Sequence, residues 1–193
     1  MKNIRNRYLF LLFFGLLLNL NYLVEGAELN PFNLTDPLIG KKAPSLETGS
    51  WFNSSPLNLE NLKGNVVIIE FFQLWCPGCN NFSIPLMTKW RDKSFSSEDD
   101  IKFISIHTVF EGHEYQTNER LESFIKEKGI THPVAVDKHI EGRHTPVTMT
   151  KYRTRGTPCI AIIDKEGIVR FKYFGRFKTG PVENFIRELL KES

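Results

Sequence analysis

The stretch from Val66 to Phe72 constrains this chain more than any other. It is apolar or β-branched throughout except for one acid, Glu70. A continuous run of this kind, entered from the turn residues Lys63-Gly64-Asn65, fits a strand buried on both faces, as in a parallel sheet. Such a strand needs a covering layer on each side. Glu70 is then an anomaly. An acid in an apolar strand is costly unless it is paired or protonated. The competing reading puts Glu70 at a sheet edge in water, where charges usually sit.

Helical spacing follows the strand. Phe82, Leu86 and Trp90 recur every four residues, which predicts a helix over Asn80 to Lys93 with Pro85 as a kink. Ile101 to Thr108 reads as a second buried strand. Asn118 to Lys128 reads as a helix opened by Asn118 and closed at Gly129, and Pro133 to Val136 as a short strand. Ile160 to Asp164 and Ile168 to Phe174 flank Lys165-Glu166-Gly167 and predict a hairpin. Pro181 to Lys191 closes the chain as an amphipathic helix, with Val182, Phe185, Ile186, Leu189 and Leu190 on one face. The order β-α-β-α-β, hairpin, helix predicts an α/β sandwich around a central mixed sheet flanked by helices. Residues 28–50 are rich in Pro, Gly, Asn and Ser and read as an irregular lead-in with room for one short strand. Pro56 to Leu62 reads as a turn or short edge element.

The N-terminus reads as an address. Lys2, Arg5 and Arg7 precede an apolar run from Tyr8 to Leu18, and Val24-Glu25-Gly26-Ala27 supplies small residues. This pattern predicts a secretory signal over residues 1–26, cleaved after Gly26. Extended to Val24, the run approaches the ~20 residues of a spanning helix, so an uncleaved N-terminal anchor is the second reading. Both readings export residues 27–193 as one domain to a periplasmic or other extracytoplasmic compartment, where disulfide chemistry is permitted. The formal charge of +3 is too small to argue for nucleic acid, and three of the basic residues lie in the leader.

The chemistry lies in Trp75-Cys76-Pro77-Gly78-Cys79. There are only three cysteines, at 76, 79 and 159, which excludes a disulfide scaffold. Cys76 and Cys79, three apart at a helix start, are neighbours on one face. The first sulfur sits where free backbone N–H groups and the helix dipole favour an anion. The thiolate is the attacking species in disulfide exchange, and helix N-termini lower a cysteine's pKa. Cys76 is therefore the candidate nucleophile and Cys79 the resolving thiol. Pro77 fits the first turn, whose N–H groups lack helical partners anyway. A zinc site would need a second Cys or His pair, which is missing at finger spacing. A purely structural bridge would close a very short loop and remove little chain entropy.

Together these residues resemble the thioredoxin superfamily, and within it the exported TlpA/ResA-type thiol–disulfide oxidoreductases. The matching stretches are Ile39 to Pro44, Leu62 to Val67, Phe71 to Cys79, and Gly156-Thr157-Pro158 followed by Ile162 to Gly167. The resemblance implies a thioredoxin-like three-layer sandwich with an N-terminal extension. It implies exchange on protein disulfides, more as reductant than oxidant, with no cofactor beyond the Cys76–Cys79 couple and no metal. Thr157-Pro158 matches the cis-proline loop that faces the cysteines and, with Trp75 and Pro77, contacts substrate. Glu70 matches a buried carboxylate that would take the proton of Cys79 during resolution. The implied partners are protein disulfide or dithiol clients and a membrane or exported redox partner.

The sequence departs from that pattern twice. Pro85 lies six residues after Cys79, where the family places this proline at five. Cys159 directly follows Pro158; strand alternation turns it to the opposite face, as a buried small hydrophobe. The five histidines, 107, 113, 132, 139 and 144, read as surface residues. The alternative is a copper metallochaperone or thiol-binding module of the same fold, using Cys76, Cys79 and a histidine such as His107. Copper chaperones of this superfamily separate their cysteines by three residues rather than two. The peroxiredoxin pattern Pro-x-x-x-Thr-x-x-Cys is also missing.

Overall fold

The computed structural model describes residues 35–192. The signal or anchor expected over residues 1–26 lies outside the described residues. Strand β2 spans Val66–Phe72, and all of it is buried. On one side it pairs in parallel with β3 (Ile101–His107), which places Glu70 opposite Ser105. On the other it pairs antiparallel with β5 (Cys159–Ile163), which places Glu70 opposite Ile160. Strand β4 (Val134–Asp137) runs parallel to β3, and β6 (Val169–Phe174) antiparallel to β5. Strand β1 (Thr48–Phe52), in the lead-in and one end of its neighbouring loop, pairs antiparallel with β4. The sheet is mixed, in the order β1-β4-β3-β2-β5-β6.

Two successive crossovers, β2 to β3 and β3 to β4, step in the same direction across the sheet. Their common right-handedness puts both connecting helices on one face. The first is α1 (Ile84–Lys89) with a wide turn at each end, and the second is α2 (Asn118–Lys128). After the β5–β6 hairpin, α4 (Thr179–Lys191) returns to this face, where Val182, Ile186 and Leu189 pack with Leu86, Met87 and Trp90 against Val66 and Ile68. Burying these side chains is the main stabilising term, at roughly 1.5–3 kcal/mol for each large aliphatic one. The opposite layer is thin. It consists of the short helix α3 (Val147–Lys151), a 3-10 turn at Leu59–Leu62 and lead-in residues, over Val67, Ile69 and Phe71. Tyr152, just past α3, packs on Phe71 with ring centroids 5.2 Å apart and donates its hydroxyl to the Pro44 carbonyl at 3.0 Å.

The helix expected from Asn80 starts earlier, at Pro77, and is not uniform. Its turns over Cys79–Ser83 and Trp90–Ser94 are π-helical, with the Ile84 N–H bonded to the Cys79 carbonyl. A π turn takes one more residue than an α turn. That accounts for Pro85 lying six residues after Cys79: the extra residue is absorbed before α1 begins. Proline removes an N–H from the ladder here, and the Asn81 carbonyl is met by Arg176 Nη2 at 3.3 Å. Leu86 and Trp90 still reach the core, and Trp90 Nε1 donates to Glu183 Oε1 at 2.8 Å.

One local expectation changes, and one helix is new. Helix α2 is capped by Thr117, whose hydroxyl accepts from the Arg120 N–H, rather than by Asn118. Helix α3 has no sequence signal of its own, being too short for a hydrophobic period. The buried Asp137 carboxylate organises it, accepting from the Thr148 and Met149 N–H groups at 2.8 Å each and from the Thr108 hydroxyl at 2.9 Å. Among the described residues no helix is long and apolar enough to cross a membrane.

Candidate active site

Strand β2 ends at Phe72, and Gln73-Leu74-Trp75 turns the chain into Cys76. Gln116 holds this turn: its side-chain oxygen accepts from the Leu74 N–H at 3.0 Å and contacts His107 Nε2 at 3.2 Å. Cys76 and Cys79 are both free thiols. Cys76 Sγ accepts from the Cys79 N–H at 3.2 Å and lies 3.4 Å from the Thr157 carbonyl. Hydrogen bonding from the Cys79 thiol, then from Thr157 and the Cys79 and Gly78 backbone, outweighs desolvation and brings the Cys76 thiol down to about 6. Cys79 is completely buried, and desolvation, followed by its bond to Cys76, pushes its pKa far up. Two residues of one type are thus made chemically unequal by position within a single turn.

Glu70 is buried in the middle of the sheet, which rules out the edge reading. Burial raises its pKa to about 7, against the lowering effect of Ser83 and Ser105. The Ser105 hydroxyl lies 2.7 Å from Oε2, while Oε1 has no hydrogen-bond partner. Ser83 stands beside the carboxyl without reaching hydrogen-bond geometry. Charge on Glu70 raises Cys79, and charge on Cys76 raises Glu70, so the acid senses both thiols.

The Thr157–Pro158 peptide is cis, the isomer implied by the resemblance. Pro158 lies against the cysteine loop so closely that a Cβ at Gly78 would stand 2.8 Å from Pro158 Cδ. Sequence reasoning assigned Gly78 no task, because its reason is a neighbour 80 residues away in the chain. A groove of about 570 Å³ runs past Cys76, lined by Trp75, Pro77, Phe110, Glu111, Thr157 and Phe174 among others. Trp75 is half exposed rather than a core aromatic. Its ring stacks on Tyr115 at 5.7 Å, and the Arg120 guanidinium lies 4.1 Å from the Tyr115 centroid. Trp75, Cys76, Pro77, Thr157 and Pro158 are therefore brought together at one end of the sheet, with Glu70 and Cys79 beneath them.

The histidines divide. His107 and His132 are buried, contrary to the surface expectation. Burial brings both down to about 4. His107 is engaged by Gln116, and among the described residues no three His, Cys, Asp or Glu side chains converge as a metal centre would need. Cys159 pairs across the strands with Phe71, packs on the opposite side of the sheet, and is pushed by burial to about 12. A second cavity of about 520 Å³ lies over it, floored by the Lys172–Asp36 ion pair at 2.6 Å.

Residues 39–172 match the AhpC/TSA family. The chain belongs to this family. The match takes in Glu70, Cys76, Cys79, Ser105, His132 and Pro158, and leaves α4 outside. Among relatives of this AhpC/TSA-family chain, the protein DipZ of Mycobacterium tuberculosis is 30% identical over 159 residues, covering 78% of this chain and 21% of DipZ. The chain thus spans about a fifth of that relative's length. The thiol-disulfide oxidoreductase ResA of Bacillus cereus is 26% identical over 151 residues, covering 78% of each. A crystal structure of a thiol-disulfide isomerase from Corynebacterium glutamicum is 40% identical with a TM-score of 0.73, covering 78% of this chain and 98% of that one. A thioredoxin-like superfamily protein of known structure is 42% identical with a TM-score of 0.75, covering 79% and 97%. The fold of this AhpC/TSA-family member is thioredoxin-like.

Proposed function

We propose that the protein is a thiol–disulfide oxidoreductase that reduces protein disulfides outside the cytoplasm through Cys76 and Cys79. The observation that carries this is the asymmetry of the pair: a sulfur lowered to about 6 at the groove and a fully buried partner behind it. The names of the ResA and isomerase relatives support the same chemistry. The Cys76 thiolate attacks a client disulfide; one client sulfur leaves as thiolate and a mixed disulfide forms. Cys79 gives its proton to the Glu70 carboxylate, attacks Cys76 Sγ, and expels the second client thiolate. The client gains two electrons, and the protein is left with a Cys76–Cys79 disulfide for an exported or membrane partner to reduce. Thr157-Pro158, Trp75 and Pro77 form the wall against which the client segment lies. The basic and apolar leader supports the compartment. A dithiol stores both electrons, so the cycle requires no further cofactor.

The test is a Cys79→Ser variant, which should accumulate covalent mixed disulfides on a non-reducing gel while Cys76→Ser does not. Equal behaviour of the two variants would remove the assignment. Direction of electron flow is read from the reduction potential of the pair, since values near −270 mV mark a reductant and values near −120 mV an oxidant, roughly.

A further inference from the structure

We propose that Arg91, His132 and Ser105 form a polarised hydrogen-bond chain that holds Glu70 ready to accept the proton of Cys79 and so sets the pH at which the mixed disulfide is resolved. The proposal rests on the reading of Cys76, Cys79 and Glu70 given above. It adds three positioning residues contributed by three different parts of the fold.

The chain has a direction, and hydrogen counting fixes it. Arg91 Nη1 lies 3.3 Å from His132 Nδ1. A guanidinium only donates, so Nδ1 is an acceptor, and a neutral imidazole then carries its one hydrogen on Nε2. His132 Nε2 is 2.8 Å from Ser105 Oγ, which accepts that hydrogen. The single hydroxyl hydrogen of Ser105 is left to point at Glu70 Oε2, 2.7 Å away. An ionised carboxylate only accepts. Every donor from Arg91 inward therefore points at Glu70, and each bond polarises the next.

The surroundings hold this arrangement in place. Ser105 stands opposite Glu70 in the parallel β2–β3 ladder. The His132 carbonyl and that of Ile130 are bound by Asn53 Nδ2 at 3.0 and 2.9 Å, just past β1. Arg91 is oriented by Asp92, with Nη2 2.7 Å from Oδ2. His132 stays neutral because it is buried and faces the Arg91 charge, against a smaller opposing effect of Asp92. The titratable group acting on Glu70 is Cys76, and Glu70 in turn acts on Cys79; the helical run also brings the Ser83 hydroxyl beside the carboxyl, β3 contributes Ser105 and β5 contributes Ile160.

A donor fixed on Oε2 favours the ionised carboxylate in an apolar site that otherwise disfavours it. Oε1 is left without a hydrogen bond for the incoming proton. In resolution the Cys79 S–H proton passes to Glu70, the Cys79–Cys76 bond forms, the bond from Cys76 to the client sulfur breaks, and the electron pair leaves with the client thiolate. Without Ser105 the carboxyl holds its own proton to higher pH. Without His132 the Ser105 hydrogen is free to rotate away.

The experiment is stopped-flow reaction of the reduced full-length protein with 5,5′-dithiobis(2-nitrobenzoate) across pH. Attack by Cys76 releases a first thionitrobenzoate, and resolution by Cys79 releases a second. Ser105→Ala and His132→Phe should leave the first release unchanged. They should move the midpoint of the second upward by about one pH unit, making it about tenfold slower below that midpoint. His132→Gln keeps an N–H donor for Ser105 and should restore the rate to within about threefold. An unchanged second-phase midpoint in Ser105→Ala overturns the proposal; that variant removes one oxygen and decides the matter if His132→Phe fails to fold. A shift in Ser105→Ala but not in a folded His132→Phe overturns the part played by His132. Absence of the first release in the unmodified protein overturns instead the underlying reading of Cys76.

Discussion

The backbone N–H of Cys79 points at the sulfur of Cys76 across 3.2 Å, while the sulfur of Cys79 itself is closed off from water. One residue thus stabilises its neighbour's thiolate and keeps its own thiol protonated. The reactivity of the cysteines should follow. Alkylation by iodoacetamide should modify Cys76 with a pH midpoint near 6, and leave Cys79 and Cys159 untouched below pH 8 in the folded protein. Peptide mapping by mass spectrometry reads this directly. Comparable labelling of Cys76 and Cys79 would contradict the asymmetry.

Glu70 makes stability depend on pH in a defined direction. In the unfolded chain it loses its proton near its ordinary value of 4.5, and in the fold near 7. Between those values the folded state holds a proton that the unfolded state has released, so stability falls as pH rises through the window and stays lower above it. Glu70→Gln should remove this dependence and stabilise the protein at pH 8 relative to pH 4 by up to roughly 3 kcal/mol. Denaturant melts at the two pH values measure it. A variant whose stability falls with pH as steeply as the parent's would refute the assignment.

Gly78 should tolerate no side chain. A methyl group there would meet the ring of Pro158 at 2.8 Å, and ring and backbone have little room to give. Gly78→Ala should therefore cost about 1–3 kcal/mol of stability, as overpacking usually does. It should also slow reduction of insulin more than the first release from a small aromatic disulfide, because in the function proposed above Pro158 belongs to the wall against which a protein client lies. Equal slowing of both substrates would argue against that wall.

Asp137 should be a structural residue. It is buried, accepts three hydrogen bonds and caps α3 from the end of β4. Asp137→Ala would leave three donors unsatisfied, a loss of roughly 3 kcal/mol or more. Asp137→Asn, which keeps one acceptor oxygen, should lose less. Thermal melts of the two variants rank them, with the rate of the cysteines unaffected at temperatures where both are folded.

The large elements were legible because each carries its signal inside itself. The unbroken apolar run of β2, the four-residue stripe of Phe82, Leu86 and Trp90, and the amphipathic pattern of α4 all reflect burial along one segment. The Cys76–Cys79 pair was legible for the same reason, since a helix start and a spacing of three are local facts. Pro85 was the informative misfit. Its extra residue was visible in the sequence, but the π turn that absorbs it depends on how the helix packs. Strand β1 was only allowed for, and α3 was missed, because the first is short and bulged and the second exists by virtue of Asp137.

The sequence by itself determined the class of fold, the spacing of the Cys76–Cys79 pair and the oddity of Glu70, because composition and spacing act over a few neighbouring residues. Only the tertiary structure decided what surrounds them. Ser105 and His132 reach Glu70 from 35 and, through Ser105, a further 27 residues away, and Pro158 meets Gly78 from 80 residues further along the chain. These contacts arise from strand register and loop closure. A hydroxyl or an imidazole carries no mark in the sequence of the partner it will meet, so the environment that tunes the chemistry appears only once the sheet has assembled.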